Sequence, residues 1–220
     1  PPDRATEAFV GHDSEQFNLI LPSEYAFLLS RLKPLNFLPA FSSFSMACLL
    51  QLAVAAMPQN QVYLNIGVWQ GYTFFAGLIE QANKTCIGVD NFSEFAAFGT
   101  PKETFYKDFA RFSERSPNHH FYELDYQVYF NLYHQELIGV YFYDAAHTYQ
   151  DQLQALELAD PFLAPGALVF IDDANQSEVQ EATLFFLAAN PHYVVLASLK
   201  TAHNGHPSFW NGLIILHKCL

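Results

Sequence analysis

The chain has 220 residues, 51% of them hydrophobic and 16% aromatic, which is enough for one domain with a sizeable core. Its formal net charge is −12 with only 10 Lys and Arg residues, so little positive charge is available to neutralise phosphates. This balance argues against a nucleic acid or an anionic membrane surface as a partner and favours a small molecule. Three widely spaced cysteines, no basic-then-apolar leader and no run of 18 apolar residues predict a cytoplasmic protein without a membrane span.

The first 60 residues predict a helical extension that is distinct from the rest of the chain. Helices are expected over 23–32 and 41–57, with Pro34 and Pro39 between them. Such an extension can act as a lid over a bound ligand, form a homodimer contact, or simply pack on the rest of the domain. The sequence leaves these three roles open.

An apolar strand that ends in two glycines comes next, in Tyr63-Leu-Asn-Ile-Gly-Val-Trp-Gln-Gly71. The strand is predicted over Val62–Ile66 and the following helix over 72–81. A second strand, over 85–90, ends in Asp90, at the spacing where a carboxylate can accept hydrogen bonds from both hydroxyls of a ribose. This βαβ unit is typical of a sheet that presents its backbone to a nucleoside ligand.

From Val62 onward, strand-like runs alternate with helical segments, a rhythm that predicts an α/β domain over residues 61–220. The expected architecture is a doubly wound, mostly parallel, seven-stranded sheet. The remaining predicted elements are, in chain order, a helix over 102–113, a strand over 120–124, a helical or turn segment over 127–135, a strand over 139–143, a helix over 149–162, a strand over 167–171, a helix over 177–189, and strands over 193–199 and 211–217.

Acidic residues follow four consecutive predicted strands. They are Asp90, Asp125, Asp144 and the pair Asp172 and Asp173. Ligands of doubly wound sheets bind beyond the carboxyl ends of the strands, so these carboxylates are the first candidates for a site. Asp125 is equally well explained as a helix cap, and Asp172 or Asp173 as the cap of the next helix.

Two segments of the second half resemble a known family. Val140-Tyr-Phe-Tyr-Asp-Ala-Ala-His-Thr-Tyr149 and Leu163-Ala-Pro-Gly-Ala-Leu-Val-Phe-Ile-Asp-Asp173 are similar to class I S-adenosylmethionine-dependent methyltransferases. The most similar group is the small-molecule O-methyltransferases that include the cephalosporin hydroxylase-like and macrocin O-methyltransferase-like proteins. The resemblance spans 62–217 in its order of elements and implies a Rossmann-like fold and methyl transfer to a hydroxyl of a small molecule, such as a sugar or a secondary metabolite.

The resemblance also implies roles for individual residues. Asn65, Gly67 and Gly71 would line the methionine part of S-adenosylmethionine, and Asp90 would bind the ribose hydroxyls. Asp125 would lie near the adenine amino group and Asp144 near the sulfonium and the acceptor oxygen. In metal-dependent members, the positions of Asp144, Asp172 and Asp173 hold one Mg²⁺.

The residues give independent reasons to expect a cation and a base here. Three clustered carboxylates repel one another unless a cation or protons neutralise them, and Mg²⁺ prefers oxygen ligands. A bound Mg²⁺ would lower the pKa of a substrate hydroxyl. His147, three residues after Asp144, is the candidate general base because imidazole titrates near neutral pH.

Two departures from the family pattern keep other functions open. Asn65 stands where relatives commonly have an acid, and Ala146 stands where some relatives have an acid that serves as the base. A non-catalytic ligand-binding homologue is therefore one alternative. An NAD-dependent oxidoreductase is another, although the glycine turn lacks the third glycine of the dinucleotide fingerprint.

The acceptor pocket is predicted to depend on two loops, over 91–101 and 201–208, and on the N-terminal extension. His203 and His206 belong to the second of these loops, and Trp210 follows it before the last strand. They can line an acceptor pocket, or the two histidines can be ordinary exposed loop residues.

Overall fold

The computed structural model describes residues 22–93, 101–114 and 116–219. In this part of the chain seven strands form a single sheet, in the order β3-β2-β1-β4-β5-β7-β6. Neighbouring strands are parallel from β3 to β5, whereas β7 runs antiparallel to both β5 and β6. The strands are β1 (Val62–Ile66), β2 (Thr85–Val89), β3 (His119–Tyr122), β4 (Ile138–Tyr143), β5 (Leu163–Asp172), β6 (Tyr193–Leu199) and β7 (Leu213–Lys218).

Seven α-helices lie in the described residues, and short 3₁₀ segments cover Ser23–Tyr25, Lys33–Phe37 and Asp160–Phe162. The α/β class, the mostly parallel seven-stranded sheet and its helical N-terminal segment are confirmed. The helices are α1 (Phe27–Arg31), α2 (Phe44–Ala56), α3 (Tyr72–Leu78), α4 (Pro101–Ser113), α5 (Tyr126–Leu132), α6 (Tyr149–Ala159) and α7 (Ser177–Ala189).

The N-terminal helices differ from their predicted bounds. The Ser43 hydroxyl accepts a hydrogen bond from the Met46 N–H, which caps α2 and starts it at Phe44 instead of residue 41. Pro34 was expected to separate helices, but it lies inside the 3₁₀ segment, in its first turn, where the missing N–H is not required. Residues 1–21 of the predicted extension lie outside the described part, and its separation at residue 60 as a lid stays a prediction.

Helices cover both faces of the sheet, which explains why the strands read as continuous apolar runs. On one face α2, α3 and α4 pack on Tyr63, Val140 and Phe142. On the other face α5, α6 and α7 pack on Leu64, Tyr141 and their neighbours. Gln51 of α2 also donates hydrogen bonds to the last carbonyls of α3, so the N-terminal helices are part of this layer.

The topology fixes where a ligand can bind. The chain leaves β1 toward β2 and β3 on one side and reaches β4 and β5 on the other, so β1 and β4 flank the switch point. A crevice forms there, beyond the carboxyl ends of the strands. No helix in the described ranges is both long enough and apolar enough to cross a membrane.

Candidate active site

A cavity of about 560 Å³ opens at the switch point. Its wall comes from the segments that follow β1, β2, β3, β4 and β5, together with residues from the N-terminal segment and from the loop before β7. All the strand-end acids predicted from the sequence reach it, namely Asp90, Asp125, Asp144, Asp172 and Asp173.

The turn after β1 forms one side of the cavity. Gly67 has φ +84°, and a Cβ at this position would overlap the main-chain carbonyl oxygen of Asp144. Only glycine therefore allows the ends of β1 and β4 to approach this closely. Gly71, with φ +94°, lies next to the Phe75 ring instead of in the cavity wall, so its observed role is to start α3.

Asp90 organises the same turn. One of its carboxylate oxygens accepts the Trp69 N–H at 2.8 Å and the other accepts the Phe92 N–H at 2.7 Å. Burial raises the pKa of Asp90, and these main-chain hydrogen bonds oppose that shift. The carboxylate thus lies in the cavity wall and fixes two loops at once.

Asn65 is placed beneath the turn and does not line the cavity. Its side chain is fully buried, and Nδ2 donates to the Tyr63 hydroxyl at 2.9 Å and to Thr73 Oγ1 at 3.2 Å. Its Oδ1 is buried without a hydrogen-bond partner in the described residues. The amide therefore ties β1 to the first turn of α3, while the predicted contact with a methionine moiety stays a prediction.

Asp125 lines the cavity and also caps α5. Its carboxylate accepts the Gln127 N–H at 2.8 Å. The capping explanation is thus confirmed, and it leaves one oxygen of the carboxylate to face a ligand. A role near an adenine amino group stays a prediction.

A compact cluster of charged groups occupies the ends of β4 and β5. The His147 imidazole lies between two carboxylates, with Nε2 at 3.7 Å from Asp144 Oδ1 and Nδ1 at 3.4 Å from Asp173 Oδ2. Asp173 also accepts hydrogen bonds from Asn211 Nδ2, at 2.7 Å, and from Gln176 Nε2. Asp172 is 2% exposed, and its Oδ1 has no hydrogen-bond partner among the described residues.

The cluster holds its carboxyl groups in an unfavourable environment. Burial, followed by the charge of Asp173, raises the pKa of Asp172 to about 8. Burial and the charges of Asp172, Asp173 and Asp90 raise the pKa of Asp144 well above its usual range. The site therefore favours positive charge, supplied by a proton or by a bound cation.

The expected magnesium site is not preformed. The three carboxylates are suitable donors for Mg²⁺, but both oxygens of Asp173 are already hydrogen-bonded to side chains. No group of three or more His, Cys, Asp or Glu residues in the described ranges has an arrangement that can hold a metal ion. The observed geometry does not fit the predicted ligand set.

Replacing Asp172 with asparagine should stabilise the protein above neutral pH. The folded pKa near 8 lies above the usual value of 3.8, so the folded protein retains a proton that the unfolded chain loses. Stability must then fall as the pH rises from about 4 to about 8. In EDTA at pH 8, Asp172→Asn should raise Tm by at least about 3 °C, with a smaller change at pH 5.

Glu157→Gln is the matched control because it removes one negative charge from an exposed position on α6. Thermal unfolding followed by circular dichroism gives the Tm of the wild type and of both variants at pH 5 and at pH 8. An equal Tm change for Asp172→Asn at both pH values would show that carboxylate burial does not set this pH dependence.

Aromatic side chains form the wall beside this cluster, and Trp210 is the one of them that the sequence analysis named for an acceptor pocket. Phe41, left in a loop by the late start of α2, stacks on Trp69 with ring centroids 4.5 Å apart. Trp210 lies 6.2 Å from Phe41 and also lines the cavity. His203 and His206 do not line it, and of the 91–101 loop, residues 94–100 lie outside the described part.

Comparison with known proteins gives a family match. A family model described as a methyltransferase domain matches residues 64–174. No curated protein matches the chain.

Solved structures share the fold at low sequence identity. An O-methyltransferase from Bacillus cereus, in complex with SAH, is 19% identical with a TM-score of 0.59, over 90% of this chain and 91% of that one. The O-methyltransferase TomG from Streptomyces achromogenes, involved in tomaymycin synthesis and solved with SAM, is 14% identical with a TM-score of 0.60, over 100% and 92%. A candidate O-methyltransferase from Klebsiella pneumoniae is 16% identical with a TM-score of 0.63, over 90% and 91%.

Proposed function

Since the chain belongs to the methyltransferase domain family, we propose that it transfers a methyl group from S-adenosylmethionine to a hydroxyl of a small molecule. The observation that carries this proposal is one cavity in which Gly67, Asp90 and Asp144 meet, at the ends of three adjacent strands. The solved relatives that contain SAM or SAH have the same fold.

The geometry supports a specific placement of the cofactor. Each Asp90 oxygen already accepts one main-chain N–H and retains a lone pair for a ribose hydroxyl. The turn at Gly67 would pass along the methionine part, and Asp125 would face the adenine. The sulfonium would then lie near Asp144, whose carboxylate favours positive charge.

The chemistry proposed at Asp144 and His147 is a direct displacement. The acceptor oxygen forms a bond to the methyl carbon while the C–S bond breaks, and the electron pair stays on sulfur. The hydroxyl proton leaves to His147, which Asp144 and Asp173 hold from both sides. Positioning of the two reactants and removal of this proton are the contributions of the protein.

Replacing His147 with glutamine should lower kcat by about a hundredfold, because general-base catalysis contributes roughly 10²–10⁴-fold. Affinity for S-adenosylmethionine should change by less than about threefold, since the imidazole touches the acceptor side of the cavity. Release of S-adenosylhomocysteine measures the first quantity and calorimetry the second. His120→Gln, at the amino end of β3 and away from the cavity, is the control.

A His147→Gln enzyme with unchanged kcat would remove His147 from the mechanism. Equal loss of cofactor binding and of turnover would instead assign it a binding role. A wild-type protein that binds S-adenosylmethionine but releases no product with any hydroxyl acceptor would favour the non-catalytic homologue.

Magnesium stays a prediction, and no step above depends on it. Asp144, Asp172 and Asp173 would have to rearrange to ligate Mg²⁺, with Asp173 releasing Asn211 or Gln176. If the three carboxylates rearrange in this way, calorimetric titration of Mg²⁺ into EDTA-treated protein should give saturable heat. The same titration of Asp172→Asn should give none. Absence of saturable heat would end the magnesium hypothesis.

Location and assembly also stay predictions. Cys48, Cys86 and Cys219 are all unpaired, which supports the expected reducing cytoplasm. The homodimer contact proposed for the N-terminal extension is untested, although α2 packs inside its own domain.

A further inference from the structure

The cavity wall carries six carboxyl groups and little basic charge to balance them. His147 is its single basic side chain, and no Lys or Arg of the described residues contributes to it. S-adenosylmethionine brings only one net positive charge, from its sulfonium, ammonium and carboxylate together. The acidic residues of the wall are Asp90, Asp125, Asp144, Asp151, Asp172 and Asp173.

Three of these carboxylates lie outside the ends of β4 and β5 and accept local hydrogen bonds. Asp125 accepts the Gln127 N–H, Asp151 accepts the Thr148 hydroxyl at 2.6 Å, and Asp90 accepts two N–H groups. The other three gather at the ends of β4 and β5, on the acceptor side of the cavity.

Among the three carboxylates at the ends of β4 and β5, one oxygen atom without a hydrogen-bond partner in the described residues indicates a ligand. Asp172 is 98% buried, lines the cavity, and has an Oδ1 without a partner in the described residues. Buried carboxylate oxygens are normally hydrogen-bonded or paired with a cation. A group with positive charge and N–H donors would satisfy this oxygen.

The aromatic wall lies beside the same cluster. Trp210 precedes Asn211, whose amide donates to Asp173, and the Trp210 ring is close to Phe41. Aromatic faces attract cations and pack on flat or CH-rich surfaces. Phe41 and Trp210 therefore suit the apolar part of an acceptor whose charged group faces the aspartates.

We infer that the acceptor is a hydroxyl compound that carries a protonated amine. This inference rests on the function proposed above and specifies the substrate class of the same site. The ammonium group is held in the field of Asp144, Asp172 and Asp173, and the apolar part packs against Phe41 and Trp210. Acceptors that carry a carboxylate or a phosphate at this end of the cavity are disfavoured, because Asp144, Asp172 and Asp173 face them and no Lys or Arg of the described residues compensates.

The inference is tested with two series of hydroxyl compounds, each with an amine, a neutral and an acid member. Binding of each compound to protein saturated with S-adenosylhomocysteine is measured by calorimetry in the presence of EDTA. The aryl series is dopamine, ethylcatechol and dihydroxyphenylacetate, and the sugar series is glucosamine, glucose and glucuronate. In at least one series the amine should bind at least about tenfold more tightly than the neutral form, and the acid should bind most weakly.

Asp172→Asn should reduce the amine preference toward one, whereas Glu157→Gln should leave it unchanged. Absence of amine binding in both series, a preference below tenfold, or an acid that binds as tightly as the amine would overturn the inference. Failure of the proposed function gives a different result. S-adenosylhomocysteine is titrated into the protein before any acceptor is added, and a protein without the proposed function would not bind it.

Discussion

Replacing Asp90 with alanine is expected to weaken S-adenosylmethionine binding by at least about a hundredfold. The variant would lose the two charge-assisted hydrogen bonds proposed to the ribose, each contributing about 1.5–3 kcal/mol. It also releases the N–H groups of Trp69 and Phe92, so the turn that receives the cofactor is no longer fixed. Calorimetric titration of S-adenosylmethionine measures the change directly.

Asp90→Asn separates the two contributions. Its amide keeps one acceptor for a main-chain N–H but replaces the other with a donor, so we expect an intermediate loss of affinity. Glu157→Ala, exposed on α6, controls for the lost negative charge. Affinity within threefold of wild type in a folded Asp90→Ala protein would show that the ribose does not bind here.

Replacing Gly67 with alanine should cost both stability and activity. The added Cβ overlaps the carbonyl oxygen of Asp144, so the ends of β1 and β4 must separate. We expect a loss of about 3 kcal/mol or more in the free energy of unfolding, together with loss of measurable turnover, because this movement displaces Asp144. Urea unfolding and a turnover assay provide the two measurements.

Gly166→Ala isolates the backbone contribution. Gly166 has φ +86°, nearly the value of Gly67, but a Cβ there meets no atom within 4 Å. Its alanine variant should lose only about 1–2 kcal/mol, the cost of a left-handed residue with a side chain, and retain full activity. Equal losses for the two variants would mean that the approach of β1 to β4 is not what Gly67 provides.

The strands could be predicted because a parallel sheet covered on both faces requires continuous apolar runs. Val62–Ile66 and Tyr193–Leu199 match their predicted bounds. The carboxyl-end acids could be predicted for a related reason, since topology brings the ends of parallel strands to one edge whatever the loops do. Gly67 and Asp90 therefore meet as expected.

Side-chain direction and long-range packing could not be predicted. Side chains alternate along β1, so Asn65 lies on the same face as Tyr63 and points toward Thr73. Predicting this contact from the sequence would require knowing which face of the sheet α3 covers. Phe41 reaches the cavity because Ser43, and not a residue before it, caps α2, and because the segment folds back over Trp69. Neither contact leaves a local pattern in the sequence.

The arrangement of the acidic side chains in the cavity could not be predicted from the sequence either. Spacing alone cannot show that Asp173 is held by Asn211, which is far along the chain and belongs to the loop before β7. This contact engages one of the expected magnesium ligands.

The central claim is that this cavity binds S-adenosylmethionine, and calorimetric titration of the cofactor into purified protein tests it most directly. We expect saturable one-to-one binding that S-adenosylhomocysteine displaces and that NAD does not. Absence of S-adenosylmethionine binding in a folded protein, or saturable binding of NAD in its place, would contradict the account.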